Sequence, residues 1–267
     1  MNNSVNHNVT FETKVYENDW EYILKGNYLD IIIARCNYKF KEKILFINNV
    51  KDIKKVKKYA DKKVVQGIID RYFVVKDYEN EALNYFNIEK DSFKDGFYYS
   101  IAELVSIYLC ETKYLLHFSS DSFIDDSTIN WIDGAIKIFE EKDNIIVANP
   151  TWNYAYNQAK KEAISEIDDF FVGYGFSDQC YLIKSEVFKK QVYNETNIAS
   201  NRYPEYGGEL FEKRVDSFMR NHNKLRITSK KVSYLHINFP KNSNFLKKLY
   251  LKFSINNRFN KGLNFKQ

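Results

Sequence analysis

The stretch from Phe97 to Ala148 alternates helical and strand patterns, and this rhythm constrains the fold more than anything else in the chain. Ile101, Leu104, Val105 and Tyr108 fall at i, i+3, i+4 and i+7, so 97–110 reads as an amphipathic helix. An apolar strand follows at 114–118. Ile129, Ile132, Ile136 and Phe139 repeat the helical spacing over 127–140, and 144–148 is again a strand. This order predicts βαβ units and a mainly parallel sheet. Upstream, 9–15 and 43–50 read as strands, the second ending at Asn48 and Asn49. Residues 31–36 (IIIARC) read as a further β-branched strand, and 64–75 as a β-branched run broken by Gly67 and Asp70-Arg71. Helices are expected at 19–25 and 52–59. Downstream come a helical stretch at 159–167, a short apolar run at 179–183, a turn and helix at 185–190, a polar helix at 209–221 after Gly207-Gly208, and a final strand at 225–235 ending at His236. There is no internal repeat or linker, so one domain over 1–240 with an appended tail over 241–267 is expected.

At 267 residues and 44% hydrophobic content the chain is long enough for a large core. Aromatics at 17% are more than a core of this size needs, which points some of them toward a cleft. Nine Gly and three Pro exclude collagen-like and Gly/Pro-rich disordered classes. Cys36, Cys110 and Cys180 are too far apart for a disulfide framework or a zinc knuckle and fit a reducing compartment. The first residues have no basic or apolar segment of a signal peptide, and no run approaches the ~18 apolar residues of a membrane span. A cytoplasmic protein is expected. The charge of +5 is unevenly spread: Ser217 to Gln267 hold 12 Lys or Arg and no acid, leaving −7 on residues 1–216. A basic end on an acidic body suits an anionic partner: a membrane surface, nucleic acid or a phosphorylated substrate, with a merely solvated tail as the alternative. Within it, Phe245, Leu249 and Phe253 share a helical face with Lys247, Lys248 and Lys252 between them, as in a helix lying on anionic lipid; docking onto the domain is the alternative.

Residues 114–121 read YLLHFSSD. A buried strand that delivers a lone carboxylate at its carboxyl end, here Asp121, is how many α/β enzymes present a metal or phosphate ligand. The alternative is a cap for the next helix.

Taken in order, these motifs resemble the inverting GT-A glycosyltransferases, especially the bacterial family 2-like type, from Val9 to His236. The resemblance implies an α/β fold: one GT-A (Rossmann-like) domain with a central, mainly parallel sheet flanked by helices, followed here by a basic C-terminal tail. It places the nucleotide base near Thr13, Tyr16, Glu17 and Asn18, with Asn48 or Asn49 at its edge; Asp70, read as a strand end, is a further base or ribose contact. It matches 119–121 to the Asp-x-Asp motif, with Ser119 where the first Asp stands, Ser120 between, and Asp121 in the place of the direct metal ligand. His236 matches the His that completes the metal shell. Segment 206–214 matches the Gly-Gly and acidic segment, with glycines approaching the sugar and Glu209 first, then Glu205 and Glu212, as the base. A nucleotide-sugar donor (UDP favoured), Mn²⁺ or Mg²⁺, and a glycan or lipid-linked acceptor of a cell-surface polysaccharide are implied, with peripheral attachment to the inner membrane face.

The residue chemistry agrees with that assignment. A hard cation favours carboxylate oxygen, and Mn²⁺ also accepts imidazole, so Asp121 and His236 suit a cation on a diphosphate. One carboxylate acting opposite the leaving group inverts the anomeric centre. Glu209 has a plainer explanation in the helix dipole, and Asn48-Asn49 in a turn. Trp152-Asn153-Tyr154 and 174–179 suit an acceptor cleft, since aromatic rings stack on sugars. Walker A, GxSxG, HExxH and RNA-binding aromatic motifs are missing, and nucleic acid is not expected as a partner. A nucleotidylyltransferase would need a Gly-rich basic loop after the first strand, which VTFETKVYEN lacks. The rival reading is a catalytically degenerate binding protein attached through its basic tail, for which Ser119 is the main support.

Overall fold

A computed structural model describes residues 8–125 and 128–236. The tail over 241–267 lies outside the described residues. The strands are β1 (Val9–Val15), β2 (Glu42–Ile47), β3 (Arg71–Val74), β4 (Tyr114–Phe118), β5 (Ser122–Ile124), β6 (Ile145–Trp152), β7 (Ser165–Ile167), β8 (Phe170–Gly173), β9 (Cys180–Lys184) and β10 (Leu225–His236). The helices are α1 (Trp20–Lys25), α2 (Tyr28–Arg35), α3 (Ile53–Val65), α4 (Glu79–Phe86), α5 (Phe97–Leu109), α6 (Trp131–Glu141), α7 (Tyr156–Glu162), α8 (Ser185–Phe188) and α9 (Phe211–Asn221).

All ten strands form one sheet in the order β3-β2-β1-β4-β9-β6-β10-β8-β7, with β5 on β10. Parallel pairs join β1 to β2 and β4, β2 to β3, and β6 to β10. Because β9 runs antiparallel to both β4 and β6, those two share the common direction. Only β5, β8 and β9 run against it. The architecture is α/β with a mainly parallel sheet flanked by helices.

Alternation along the strands sends side chains to two cores. Phe11, Leu45, Ile47, Leu116 and Phe118 pack with α1, α2, α3 and α6. Ile44, Phe46, Leu115 and Ile183 pack with α4, α5 and α9. In β1 the second face carries Thr10, Glu12 and Lys14, and α5 covers it. Glu12, Glu103 and His117 are therefore buried, bonded as His117–Glu12 and Lys14–Glu103, with Ser106 Oγ donating to Glu12 at 3.2 Å. Burial alone would lower Lys14, but Glu103 and Asp178 hold it above the ordinary lysine range.

Several boundaries differ from the sequence expectations. Residues 31–36 end helix α2 and are not a strand. Tyr28, Leu29 and Ile32 are its buried residues and the capping Cys36 is buried too, so Leu29, Ile32 and Cys36 follow at spacings of three and four, and packing of one helical face overrides β-branched preference. Val64 and Val65 finish α3; Gly67 turns the chain with φ +71°, and only Arg71–Val74 is strand. The stretch 159–167 divides into the end of α7 and all of β7. Among the described residues, no helix is long and apolar enough to cross a membrane.

Candidate functional site

The strand order reverses at β1. The chain builds β2 and β3 on one side of it, then returns to place β4 on the other. Ligand crevices open at the carboxyl ends of strands flanking such a switch. Residues 16–19 leave β1 there and 119–121 leave β4. Asp19 ties the two loops together: its Oδ1 accepts the Tyr16 N–H at 2.8 Å and its Oδ2 the Ser120 hydroxyl. Burial raises Asp19 to about 8, against the lowering effect of the Ser120 and Tyr16 bonds, and the neighbouring Asp121 charge adds to the rise.

Antiparallel pairing of β5 with β10 sets His236 against Ser122, beside Asp121. His236 Nε2 lies 2.9 Å from Asp121 Oδ2, and the Ser119 hydroxyl donates to Asp121 Oδ1 at 2.5 Å. The His236 backbone N–H is anchored on Asn153 Oδ1 at 3.1 Å. Burial pushes the Asp121 carboxyl up, but the His236 and Ser119 bonds outweigh it and hold it below the usual range. The same bond to Asp121 raises His236 against partial burial.

Asp121 and His236 line a cleft of about 440 Å³ with Tyr16, Asn18, Asn48, Asn49, Ser119 and Ser120. Asn48 Nδ2 donates to the Tyr98 carbonyl at 2.8 Å, which fixes the loop after β2 against the start of α5. A second cleft of about 420 Å³ includes Trp152, Asn153, Tyr203 and Glu212, and a third of about 210 Å³ includes Tyr206 and Glu212. Gln179 lines all three clefts; Asp178, Glu212 and His236 each line two. The Ser119 N–H donates to the Gln179 carbonyl at 2.8 Å, so the junction is pinned to the Asp121 loop.

Glu212 is half-buried in the first turn of α9, and its Oε1 accepts the Asp178 N–H at 2.8 Å. Burial, then the Asp178 charge, keeps this carboxyl well above the ordinary glutamate range. Glu209 precedes α9, which begins at Phe211, so it does not open the helix as expected. It pairs with Lys213 at 2.7 Å and lines none of the three clefts. Glu205 is exposed in the turn Glu205–Gly207 and also lines none of them. Thr13 is buried inside β1, away from the cleft lining. Asp70 precedes β3 rather than ending it, at the amino ends of the strands, away from the cleft, where Oδ2 accepts the Lys43 N–H at 2.7 Å. The glycines serve packing rather than sugar approach: a Cβ on Gly207 would lie 2.4 Å from Leu210 Cγ, and one on Gly208 2.4 Å from the Ser92 carbonyl.

Sequence reasoning missed Lys14, Asp95, Tyr98 and Tyr99 in the first cleft. Tyr98 and Tyr99 carried a usable signal. They are aromatic and open α5; Tyr99 falls off its 101-104-105-108 stripe and Tyr98 sits at its margin, and both remain about half exposed.

As a donor set, Asp121 and His236 fit a divalent cation: a carboxylate oxygen and an imidazole nitrogen converge, and Mn²⁺ takes both. Among the described residues no cluster of three or more His, Cys, Asp or Glu could hold a metal. The two would therefore form a partial shell, as suits a cation bound with the substrate's phosphates.

The chain is similar to solved glycosyltransferase structures. Against glucosyl-3-phosphoglycerate synthase from Mycobacterium tuberculosis, in complex with Mn²⁺, UDP and glucosyl-3-phosphoglycerate, the identity is 12% and the TM-score 0.42, covering 92% of this chain and 76% of that one. S. aureus TarS 1–349 gives 9% and 0.45, covering 86% and 60%. GalNAc-T7 with UDP, GalNAc and Mn²⁺ gives 10% and 0.49, covering 89% and 45%. The chain thus spans less than two thirds of the TarS and GalNAc-T7 chains. No family model matches the chain, and no curated protein matches it by sequence. At these identities and TM-scores the function is argued from the site's own geometry.

Proposed function

We propose that this protein is an inverting GT-A glycosyltransferase that moves a sugar from a nucleotide-sugar donor to a glycan or lipid-linked acceptor in cell-surface glycan synthesis. The observation that carries the reading is the junction of clefts. On the donor side stands the Asp121–His236 pair; on the acceptor side stands the half-buried carboxyl of Glu212. Tyr16, Tyr98 and Tyr99 offer aromatic surface for a base, and Asn48 and Asn49 offer amides for its edge. Asp121 and His236 would hold Mn²⁺ or Mg²⁺, which when bound supplies a Lewis acid for the departing diphosphate. Glu212, with Asp178, takes the proton from the acceptor hydroxyl. Its raised affinity for protons makes its carboxylate a stronger base than a surface glutamate. A single base acting across the anomeric carbon from the leaving group supports inversion. The basic residues after Ser217 support an acceptor presented at an anionic membrane surface.

The test is a thermal-shift panel of UDP-, GDP-, CMP- and dTDP-sugars with and without Mn²⁺, since a ligand bound to the native state raises its stability by mass action. The expected result is a Mn²⁺-dependent shift with one donor, abolished in Asp121→Ala. No shift with any donor, or a shift that survives Asp121→Ala, overturns the assignment. Nucleotide binding without any transfer or hydrolysis favours the degenerate binding protein.

A further inference from the structure

The second cleft contains a feature that donor chemistry does not use. Arg226 is 8% exposed, its Nε has no hydrogen-bond partner among the described residues, and its Nη2 stands 3.6 Å from Glu162 Oε2, beyond hydrogen-bonding distance. Arg202 lines the same cleft. Its Nη2 lies 3.3 Å from the Tyr203 hydroxyl and 3.5 Å from Asp216 Oδ1. Asp216 is itself shared, its Oδ2 accepting from Ser200 at 2.7 Å and Arg220 at 2.9 Å. The two guanidiniums flank Gly175: a Cβ there would lie 2.7 Å from Arg202 Nη2 and 3.4 Å from Arg226 Nη1. Gly175 holds φ at +103°, so the backbone conformation and the missing side chain together keep this gap open.

Burying one guanidinium without a hydrogen-bonded anion, next to a second, is costly. Glu162 and Asp216 offset the charge only in part, at 3.6 and 3.5 Å. A planar fork of N–H donors beside a second fork matches the oxygens of a phosphoryl or carboxylate group. We propose that this cleft receives the acceptor through an oxyanion, a phosphoryl group first, held between Arg202 and Arg226. The inference rests on the glycosyltransferase reading and names the class of its acceptor: a hydroxyl compound with a phosphoryl group near the reacting oxygen. Glu212 lines the same cleft, so the anion also orients the hydroxyl toward the base.

The experiment measures binding of glycerol 3-phosphate, inorganic phosphate and glycerol to the full chain by calorimetry, in wild type, Arg202→Gln and Arg226→Gln. UDP affinity in Mn²⁺ is measured on the same samples. The expected result is that both phosphates bind and glycerol does not, that each variant weakens phosphate binding roughly 10- to 100-fold, and that UDP affinity stays at the wild-type value. Arg202, half exposed, is the variant to rely on if Arg226→Gln does not fold. Absence of phosphate binding, or binding unchanged in Arg202→Gln, overturns the proposal. Binding of inorganic phosphate with exclusion of glycerol 3-phosphate overturns the acceptor role. Loss of UDP binding in wild type with phosphate binding intact condemns the donor site instead, so the two failures are distinguishable.

Discussion

Asp19 offers the sharpest quantitative test of how the site is held together. It is 1% exposed, and burial raises its carboxyl from an ordinary 3.8 to about 8. In the folded protein it is thus neutral over a pH range where the unfolded chain carries it ionised. The stability from this group is complete below pH 4 and is lost as pH rises toward 8. Each pH unit in that window withdraws about 1.4 kcal/mol, and the whole window on the order of 5 kcal/mol. Asp19→Asn replaces the neutral acid with an amide of the same shape. Its oxygen still accepts the Tyr16 N–H, and its NH₂ can donate to Ser120 Oγ, both bonds being local to the present contacts. Urea unfolding of wild type and Asp19→Asn between pH 5 and 9 reads the effect. The variant should gain on wild type by about 1.4 kcal/mol per pH unit up to pH 8 and hold a constant advantage above it. Parallel stability curves across that range would mean Asp19 is ionised when folded, and the reasoning from its burial would fail.

Glu212→Gln should lower kcat by about 10²- to 10⁴-fold while leaving the donor KM in place, the mark of a lost proton acceptor; an equal loss in Glu209→Gln would move the base. His236→Ala should weaken Mn²⁺ affinity measured by calorimetry in the presence of UDP. In wild type that affinity should fall about tenfold per pH unit once pH drops below the raised value of His236, because the proton competes for Nε2. Gly208→Ala should cost more than Gly67→Ala in thermal unfolding. Both need positive φ, worth roughly 1–2 kcal/mol, but the added Cβ is 2.4 Å from the Ser92 carbonyl only at Gly208 and has nothing within 4 Å at Gly67.

The sequence carried the elements whose periodicity is set by a single large core. Helix α5 and strand β4 are where the apolar spacing put them, and Asp121 stands at the carboxyl end of a buried strand. It carried less wherever tertiary packing decides. IIIARC looks like strand because its local preference is β, yet Leu29, Ile32 and Cys36 face the core only as a helix. VTFETKV alternates as a half-exposed strand would, but α5 covers its polar face, and Glu12 and Lys14 are satisfied by His117 and Glu103 far along the chain. In the 205–212 segment all three acids look alike in sequence. The helix start at Phe211 separates them, turning Glu212 inward and leaving Glu209 to Lys213. Arg202 and Arg226 are 24 positions apart on different elements, and no local pattern announces that they meet across Gly175.

Ser119 bears on how the donor side balances charge. An acid at that position would set two carboxylates against each other, and like charges so close force one to keep a proton. The Ser119 hydroxyl instead donates to Asp121 Oδ1 and leaves Oδ2 to His236. That arrangement stabilises the ionised form of Asp121. Asp19, next in the chain of bonds through Ser120, is raised to about 8 by burial and so adds little negative charge beside Asp121. The nearest fixed cation in the cleft, Lys14, is already committed to Glu103. A diphosphate entering this cleft meets the acids Glu17, Asp95, Asp121 and Asp178 in its lining and, among the described residues, no cationic side chain there besides Lys14 and His236, so a divalent ion shared with Asp121 and His236 would complement its charge. The same arithmetic makes the second cleft different in kind. There two guanidiniums lack full partners among the described residues, so on the proposed reading the protein itself supplies the positive charge on the acceptor side, whereas on the donor side a bound cation would supply it.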